Sequence, residues 1–212
     1  MRRVIAFLLS MVLILSVSTA VFAESKEEIA AKELEKYEIL DTKDYLGKIS
    51  TDGYVTRAEM AKMLVLMLGL SPSDAVVNFS DVPSEHWAHR FISRAAAFGI
   101  VNGMGDGTFS PDENITYQQA IKMIVCALGY GVVAQRNGGY PHGYTITGVN
   151  LGITPDKAVV TKIADKGEII VMLAKALDVP MMVVTEDESQ TAYKILNGKN
   201  GERLVTMRTR LE

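Results

Sequence analysis

Three stretches of fifteen residues carry the same pattern of apolar and polar positions. They begin at Thr56, Thr116 and Asp165 and align without gaps. In each stretch a Thr or Asp is followed three residues later by Glu or Gln, which is the spacing of a helix capping box. Apolar residues then recur three and four positions apart, in the first stretch at Met60, Met63, Leu64, Met67 and Leu68. The pattern predicts three amphipathic helices of one kind.

A second helix is predicted upstream of each of these three. In the middle of the chain it spans residues 85–98, with Ser84 as N-cap and Gly99 as the C-terminal stop, because four large or apolar side chains fall on one face: Trp87, Phe91, Ala95 and Phe98. The counterpart near the start spans residues 26–37 and is highly charged. The third counterpart is a shorter segment at 145–151.

Each pair of helices is joined by a loop rich in turn-forming residues. In the middle pair the loop contains Asp106-Gly107, which suits a tight turn and a small hairpin. The first loop spans residues 41–54 and contains Asp52-Gly53. One helix pair alone would expose its apolar face, so three similar pairs are expected to share a core.

The predicted fold is therefore mostly α, with three helix–loop–helix units at residues 24–71, 72–131 and 132–182. Residues 183–212 differ in character. Residues 186–189 are predicted to form a linker, and residues 192–196 and 203–207 a β-hairpin around the Asn-Gly-Lys-Asn-Gly sequence at 197–201.

The first 23 residues have the pattern of a secretory signal peptide. Arg2 and Arg3 precede an uncharged apolar run at 4–17, and small residues lead to a predicted cleavage site after Ala23. The alternative is a retained membrane anchor, since about 20 apolar residues span a bilayer. Both interpretations predict an exported chain whose membrane contact is limited to this segment.

Charge and cysteine content exclude several classes of function. The net charge is −3, and it becomes −5 once the two arginines of the leader are removed. An acidic chain without a Lys/Arg cluster is not typical of nucleic-acid binding. Cys126 is the only cysteine, so no internal disulfide forms, and its helical neighbours predict a buried thiol.

The middle unit resembles an S-layer homology repeat. The resemblance is carried, in order and spacing, by Phe79-Ser80-Asp81-Val82, Trp87-Ala88, Gly99-Ile100, Gly103, Asp106-Gly107-Thr108-Phe109, Pro111 and Ile115-Thr116. The family's short motif is present in the first unit as Thr56-Arg57-Ala58-Glu59. Gly138 to Tyr144 with Gly152-Ile153 resembles the beginning of a third repeat, so the resemblance covers about residues 24–182.

This resemblance implies both a fold and a function. Three S-layer homology repeats form a pseudo-threefold, three-pronged spindle around a central helix bundle, as a monomer that is internally a pseudo-trimer. Grooves between repeats hold a secondary cell-wall polysaccharide, often pyruvylated, that is attached to peptidoglycan. The implied module is non-catalytic, needs no cofactor, and is expected in the wall or S-layer of a Gram-positive-type bacterium.

The residues themselves point to an anion site at the helix starts. Arg57, Tyr117 and Lys166 are each the first residue of a repeated helix. A cation there is disfavoured by the helix dipole, so Arg57 and Lys166 suggest a use other than helix stability. Unpaired N–H groups plus a cation would hold a carboxylate such as a pyruvate ketal. The alternative is a solvated surface charge. Glu59 and Glu168 are predicted to be capping residues.

Other candidate positions have two interpretations each. Trp87, the only tryptophan, would stack on a sugar or fill the core. Asp81 would bind ligand hydroxyls or cap the turn before Pro83. Gly103 would allow a sugar to approach or would serve backbone geometry. The full predicted ligand-binding set is Thr56, Arg57, Asp81, Trp87, Gly103, Asp106, Tyr117 and Lys166.

The units also depart from the family pattern. The first lacks the Phe-x-Asp-Val and Trp-Ala motifs, the second has Tyr117 and Gln119 where Arg and Glu are usual, and the third lacks Asp-Gly-Thr-Phe. One or two working grooves are therefore expected, with Arg57 in the strongest.

Three other functions fit the sequence less well. An enzyme has no support from a nucleophile elbow, and His86 and His89 would leave zinc without its other ligands. A calcium loop at 106–117 fails, because Pro111 and Tyr117 replace the required Gly and Glu. The strongest alternative is an extracellular helical-repeat scaffold that binds proteins and not glycans, which an exposed apolar patch would favour.

Overall fold

The computed structural model describes residues 24–40, 50–74, 79–154, 162–187, 190–195 and 205–212. The predicted signal segment at 1–23 and most of the first loop lie outside these residues. The elements, in chain order, are α1 (Lys26–Lys36), α2 (Arg57–Met67), α3 (His89–Ala97), α4 (Tyr117–Ala127), α5 (Gly131–Arg136), α6 (His142–Asn150), α7 (Lys166–Ala176), β1 (Met182–Asp187), β2 (Gln190–Ile195) and α8 (Met207–Leu211). The mostly helical class is confirmed.

The three repeated helices α2, α4 and α7 begin where the capping boxes predict. The amide of Thr56 donates to the Glu59 carboxylate at 2.7 Å, and the amide of Glu59 donates to the Thr56 hydroxyl at 3.2 Å. Thr116 and Gln119 repeat this exchange, and the Asp165 amide donates to the Glu168 carboxylate at 3.2 Å. These bonds satisfy amides that a helix start otherwise leaves unpaired.

The starts of these three helices are joined to one another in a ring. The Arg57 amide donates to the Glu113 carbonyl, the Tyr117 amide to the Lys162 carbonyl, and the Lys166 amide to the Gly53 carbonyl, at 2.8 to 3.0 Å. Each unit thus bonds the next, and the third bonds the first. Helices pack in the same cyclic order, because α3 packs on α2, α6 on α4, and α1 on α7. The three-pronged spindle remains a prediction beyond this cyclic order.

In each unit the helix that pairs with the repeated helix, namely α1, α3 or α6, ends in the same way. The residue after its C-cap has positive φ in all three units: Glu38 at 57°, Gly99 at 67° and Gly152 at 72°. The next residue, Ile39, Ile100 or Ile153, is buried, and its amide donates back into the preceding helix. Glycine suits this backbone conformation, whereas Glu38 adopts it without that freedom.

The core is continuous through all three units. The predicted apolar stripe of α2 is buried in full, with Met60, Leu64 and Met67 completely inaccessible. Equivalent residues of α4 and α7 join the same cluster. In the described part of the chain no helix combines the length and hydrophobicity that a membrane span requires.

The prediction for the first helix of unit 2 was wrong at its start. The helix begins at His89 and not at 85, and Ser84 donates to the Glu85 carboxylate instead of capping. Residues 84–88 form turns, because the Ala88 amide donates to Nδ1 of His86 at 3.1 Å. Trp87 consequently lies in front of the helix and not along its buried face.

The prediction for unit 3 was also incomplete. The helix predicted at 145–151 begins three residues earlier, at His142, and a short helix α5 precedes it. Gly143 and Gly148 lower intrinsic helicity here, but both are buried at close approaches to neighbouring atoms. Tertiary packing therefore overrides local propensity.

The C-terminal hairpin pairs differently from the prediction. Residues 186 and 187, expected in a linker, belong to β1, which pairs antiparallel with β2 so that Met182 faces Ile195 and Asp187 faces Gln190. Met207 opens helix α8 and is fully buried. The apolar, β-branched sequence at 182–185 is what forms the first strand. The hairpin predicted at Asp106-Gly107 has no strands; the Asp106 carboxylate instead accepts from the Thr108 amide at 3.0 Å.

Candidate ligand-binding grooves

Two grooves lie where residues from different units meet. The first, here called the Trp87 groove, encloses about 230 Å³ and is lined by Ile39, Leu40, Val55, Glu59, Lys62, Met63, Trp87, Lys166 and Ile170. The second, the Tyr140 groove, encloses about 270 Å³ and is lined by Arg57, Ile100, Val101, Asn102, Gly103, Met104, Gln119, Lys122, Met123 and Tyr140. Each groove takes residues from all three units.

The two grooves are built from equivalent positions of the repeat. Each has a cation from the first position of a repeated helix, Lys166 or Arg57. Each has a lysine from the sixth position of the next repeated helix around the ring, Lys62 or Lys122. Each also has an aromatic residue two positions before helix α3 or α6, namely Trp87 or Tyr140. The same arrangement of charge and ring therefore occurs twice.

Trp87 forms an exposed wall and does not belong to the core. Its side chain is 54% exposed, and its ring stacks on His86 with the centroids 5.8 Å apart. His89 fixes the turn through a 2.9 Å contact between Nδ1 and the Val82 carbonyl. Of the two interpretations of Trp87, the structure fits the one in which its face is available to a ligand.

Lys166 supplies a charge at the rim of the Trp87 groove. Its backbone amide donates to the Gly53 carbonyl. Within the described residues its ammonium makes no ion pair. The floor below is apolar, formed by side chains such as Val55, Met63 and Ile170. A ligand here would meet the charged residues Lys62, Lys166 and Glu59 together with this apolar floor.

Arg57 is held far more firmly than Lys166. It is only 5% exposed; its Nε donates to the Phe109 carbonyl at 2.8 Å and Nη2 to the Asn102 carbonyl at 3.3 Å. The guanidinium lies 4.6 Å from the centre of the Phe109 ring. Burial lowers the pKa of Arg57 from its ordinary value. Arg57 thus fixes the loop of unit 2 and reaches the Tyr140 groove from one side.

Lys122 is the more accessible cation of the Tyr140 groove. Its Nζ lies 5.4 Å from the centre of the Tyr140 ring and 6.0 Å from that of Tyr144. Such cation–π contacts hold an ammonium without neutralising it. Tyr140 is 48% exposed, so it offers this groove a ring face as Trp87 does in the other.

Three further predicted residues support the loop beside the Tyr140 groove. Asp81 accepts from the Phe109 and Ser110 amides at 2.8 and 2.7 Å, so it ties the loop and does not cap the turn before Pro83. Asp106 accepts from the Thr108 hydroxyl at 2.6 Å, a bond that lowers the pKa of its carboxyl. A Cβ on Gly103 would meet the Thr108 carbonyl at 2.6 Å, so this glycine permits close backbone packing.

The third junction is the place in the ring where the first residue of α4, Tyr117, would form an equivalent groove. It lacks the two cations and the exposed aromatic ring of the other two grooves. Tyr117 is buried and its hydroxyl contacts the Thr154 hydroxyl at 2.5 Å. The sixth position of α7 is Val171 where the other helices have lysine, and the position equivalent to Trp87 and Tyr140 is Glu24. Tyr117 is therefore separate from both grooves, and Thr56 acts as a helix cap beside Arg57.

Sequence reasoning missed Lys62, Lys122 and Tyr140. The signal was available, because both lysines fall at the sixth position of aligned helices and Tyr140 aligns with Trp87 once the helix starts are known. The sequence prediction also assumed that the amides at the helix starts are unpaired. In α2 the first three amides are all occupied, by Glu113, Pro111 and Thr56. Side chains, not amides, supply the positive charge of the grooves.

The described residues contain no cluster of three or more His, Cys, Asp or Glu side chains able to hold a metal ion. Cys126 is partly buried, and burial raises the pKa of its thiol, which disfavours the reactive thiolate.

Comparison with known proteins agrees with this architecture. Residues 78–121 match the family model of the S-layer homology domain. A "Middle cell wall protein" of Brevibacillus brevis is 32% identical over 153 residues, which is 70% of this chain and 14% of that protein. A "Cell surface protein" of Thermoanaerobacter kivui is 30% identical over 141 residues, covering 64% of this chain and 18% of that protein.

A further relative comes from Thermus thermophilus. Its "Outer membrane protein SlpA" is 43% identical over 70 residues, 31% of this chain and 8% of that protein. The chain thus spans less than a fifth of the length of each of these three relatives. The repeat pattern, the cyclic packing and the family match define a protein built on S-layer homology repeats. This chain is an S-layer homology domain protein.

Proposed function

We propose that this chain is a non-catalytic anchoring module that attaches to the cell wall by binding an acidic polysaccharide in the Trp87 and Tyr140 grooves. The family match and relatives named for the cell surface or cell wall support anchoring at the cell surface. A Gram-positive type of wall is a finer proposal, since one relative is named an outer membrane protein.

The observation that carries the proposal is the repeated combination of two cations and one exposed aromatic ring. A sugar ring carrying a carboxylate has an apolar face for the aromatic side chain and a charge for the cations. The chain as a whole is acidic, yet cations outnumber carboxylates among the described lining residues of both grooves. Lys62 and Lys166 stand against Glu59 in the Trp87 groove, and the charged residues that line the Tyr140 groove are Arg57 and Lys122. Local cations in a partly enclosed site attract anions more strongly than the net charge suggests.

Pyruvate ketals are the acidic groups that the resemblance suggests. A ketal presents a carboxylate beside a methyl group. The Trp87 groove offers Lys62 and Lys166 at its rim and Met63 and Ile170 on its floor, which suits that combination. The Tyr140 groove has more polar walls, through Asn102 and Gln119, and suits hydroxyl-rich sugar.

The test is a binding assay of the full chain on purified sacculi, before and after acid strips the wall polysaccharide. The full chain is required because Met207, near the C-terminal end, is buried in the core. Lys166→Ala is compared with Lys175→Ala, an exposed lysine on the same helix that lines neither groove.

Binding should disappear on stripping and weaken in Lys166→Ala but not in Lys175→Ala. Binding that survives stripping would transfer the partner to peptidoglycan or protein, as a scaffold would require. Absence of binding to intact sacculi would contradict wall anchoring.

A further inference from the structure

The segment after the hairpin returns to the helical units and contacts two of them. The Met181 amide donates to the Val205 carbonyl at 2.8 Å, and the Arg208 amide donates to the Leu177 carbonyl at 3.0 Å. Met207 is completely buried. Residues 205–212 therefore form part of the folded module and are here called the C-terminal strap.

Arg208 is the residue of the strap that joins unit 1 to unit 3. Its guanidinium bonds both oxygens of Asp178 in unit 3, with Nε at 2.5 Å and Nη2 at 2.8 Å. Nη2 also lies 2.6 Å from the Glu33 carboxylate, and Nη1 donates to the Tyr37 hydroxyl at 3.3 Å, both in unit 1. A planar guanidinium presents five N–H donors in a fixed fork, so it bonds both Asp178 oxygens and its other partners at once, a geometry that the compact ammonium of a lysine does not match.

The contact persists over a wide pH range. The hydrogen bonds from Arg208 hold the pKa of Asp178 below its ordinary range. A depressed carboxyl pKa means that the stabilisation is present above the ordinary value and is lost only as pH falls through the lowered one. At neutral pH the Asp178 carboxylate is therefore charged and its bonds to Arg208 are present.

The residues of the bridge are connected through the chain to residues that line the Trp87 groove. Tyr37 is the C-cap of α1, and Ile39 and Leu40, which line the groove, follow it immediately. On the other side, Asp178 follows α7, the helix that carries Lys166 and Ile170. Arg208 thus joins the segment after α1, which supplies Ile39 and Leu40, to the end of α7, the helix that supplies Lys166 and Ile170. The Tyr140 groove takes its loop from unit 2, which Arg208 does not touch within the described residues.

We infer that Arg208 is a positioning residue for the Trp87 groove, through which the C-terminal strap sets the spacing of unit 1 and unit 3 and hence the affinity of that groove alone. The inference rests on the proposed function for its binding consequence. Its structural consequence, the fixed position of residues 37–40, is independent of any ligand.

The test has a ligand-free arm and a binding arm, both on the full chain. Hydrogen–deuterium exchange follows the Ile39 amide, which donates to the Leu34 carbonyl, against the equivalent Ile100 amide, which donates to the Ala95 carbonyl. The variants are Arg208→Ala, Arg208→Lys and the matched control Arg210→Ala, an exposed arginine two residues away on the same helix.

In Arg208→Ala we expect about fivefold faster amide exchange at Ile39 and no change at Ile100. A change of this size is usual for residues that couple two elements without contacting the ligand. Arg208→Lys should be intermediate and Arg210→Ala unchanged. Equal acceleration at both isoleucines would mean general destabilisation, and no change at Ile39 would mean that the bridge fixes nothing. Either result overturns the inference.

The binding arm uses acid-released wall polysaccharide and the emission of Trp87, the only tryptophan. Arg208→Ala should weaken binding reported by Trp87 about fivefold in the wild-type background and have no effect when Lys166→Ala is already present. An equal loss in both backgrounds would overturn the positioning role. If the wild-type chain gives no response, the proposed function fails, whereas the exchange arm still decides the role of Arg208.

Discussion

The Trp87 and Tyr140 grooves occupy equivalent places in the repeat but use their first-position cation differently. Lys166 stands at the rim of the Trp87 groove over an apolar floor. Arg57 in the Tyr140 groove is buried, stacked on Phe109 and bonded to two carbonyls. One repeated position therefore lies at the rim of one groove and fixes the loop architecture beside the other. Equivalence of position in a repeat does not imply equivalence of role.

The third junction has neither the two cations nor the aromatic ring of the grooves. Tyr117 occupies the cation position and bonds Thr154, and Val171 replaces the lysine. Two grooves carry the repeated features and the third junction does not, so the expectation of one or two working grooves stays a prediction. Arg57, expected in the strongest groove, is only 5% exposed. The comparison leads to four predictions.

The largest expected effect is on stability, in Arg57→Ala. Removing this side chain leaves two carbonyls without their donor and opens a cavity against Phe109, which costs about 2–4 kcal/mol of unfolding free energy. Lys166→Ala, at the same helical position, should change it by less than about 0.5 kcal/mol. Urea denaturation of both variants measures the difference. Equal losses would contradict the contrast between the two positions.

The next effect is on binding, in Trp87→Ala. Loss of the exposed ring should weaken binding of wall polysaccharide about tenfold, or about 1.4 kcal/mol, with the melting temperature unchanged. Phe98→Ala is the matched control, because Phe98 is 53% exposed in the same unit but lines neither groove. Isothermal titration with the released polysaccharide decides it. A loss in both variants would mean that exposed aromatic area matters and not the groove.

A smaller effect is expected at the third junction, in Tyr117→Phe. Loss of the hydroxyl bond to Thr154 should lower the unfolding free energy by about 0.5–1.5 kcal/mol and leave polysaccharide binding unchanged. Tyr54→Phe is the matched control, since Tyr54 is 54% exposed. Reduced binding in Tyr117→Phe would show that the third junction takes ligand.

The smallest effect is expected when Val171 is changed to Lys. This variant restores the sixth-position cation, but Tyr117 still fills the first position and Glu24 stands where the aromatic residue would be. Affinity should change by less than about twofold, since one exposed charge is worth little by itself. Titration against wild type measures it. A gain near tenfold would show that a single lysine suffices to make a groove.

Much of the fold could be predicted from sequence because its signals are local. The capping boxes at Thr56 and Thr116 depend on residues three apart, and the structure confirms both. The start of α3 could not be predicted, because the turns before it depend on a bond between His86 and the Ala88 amide. The pairing of β1 with β2 was not predicted, because Val183 and Val184 fell between unit 3 and the predicted linker and were assigned to no strand.

The site was less predictable than the fold. Arg57 and Lys166 are identical in helical position, and only long-range packing decides that Arg57 lies on Phe109, 52 residues away. Lys62 and Lys122 fall at the same position of aligned helices, which the sequence shows. That each lines a groove with the first-position cation of the preceding helix depends on the cyclic order of the units. Groove residues come from all three units, so their proximity is a property of the closed ring and not of any one repeat.

The most direct measurement of the central claim is the affinity of the full chain for intact sacculi in four forms: wild type, Lys122→Ala, Lys166→Ala and the double variant. Each single change removes an accessible cation from one groove. We predict a severalfold loss in each single variant and complete loss of specific binding in the double variant, with the fold intact by circular dichroism. A double variant that binds as well as wild type would contradict the account, because neither Lys122 nor Lys166 would then be needed to hold the wall.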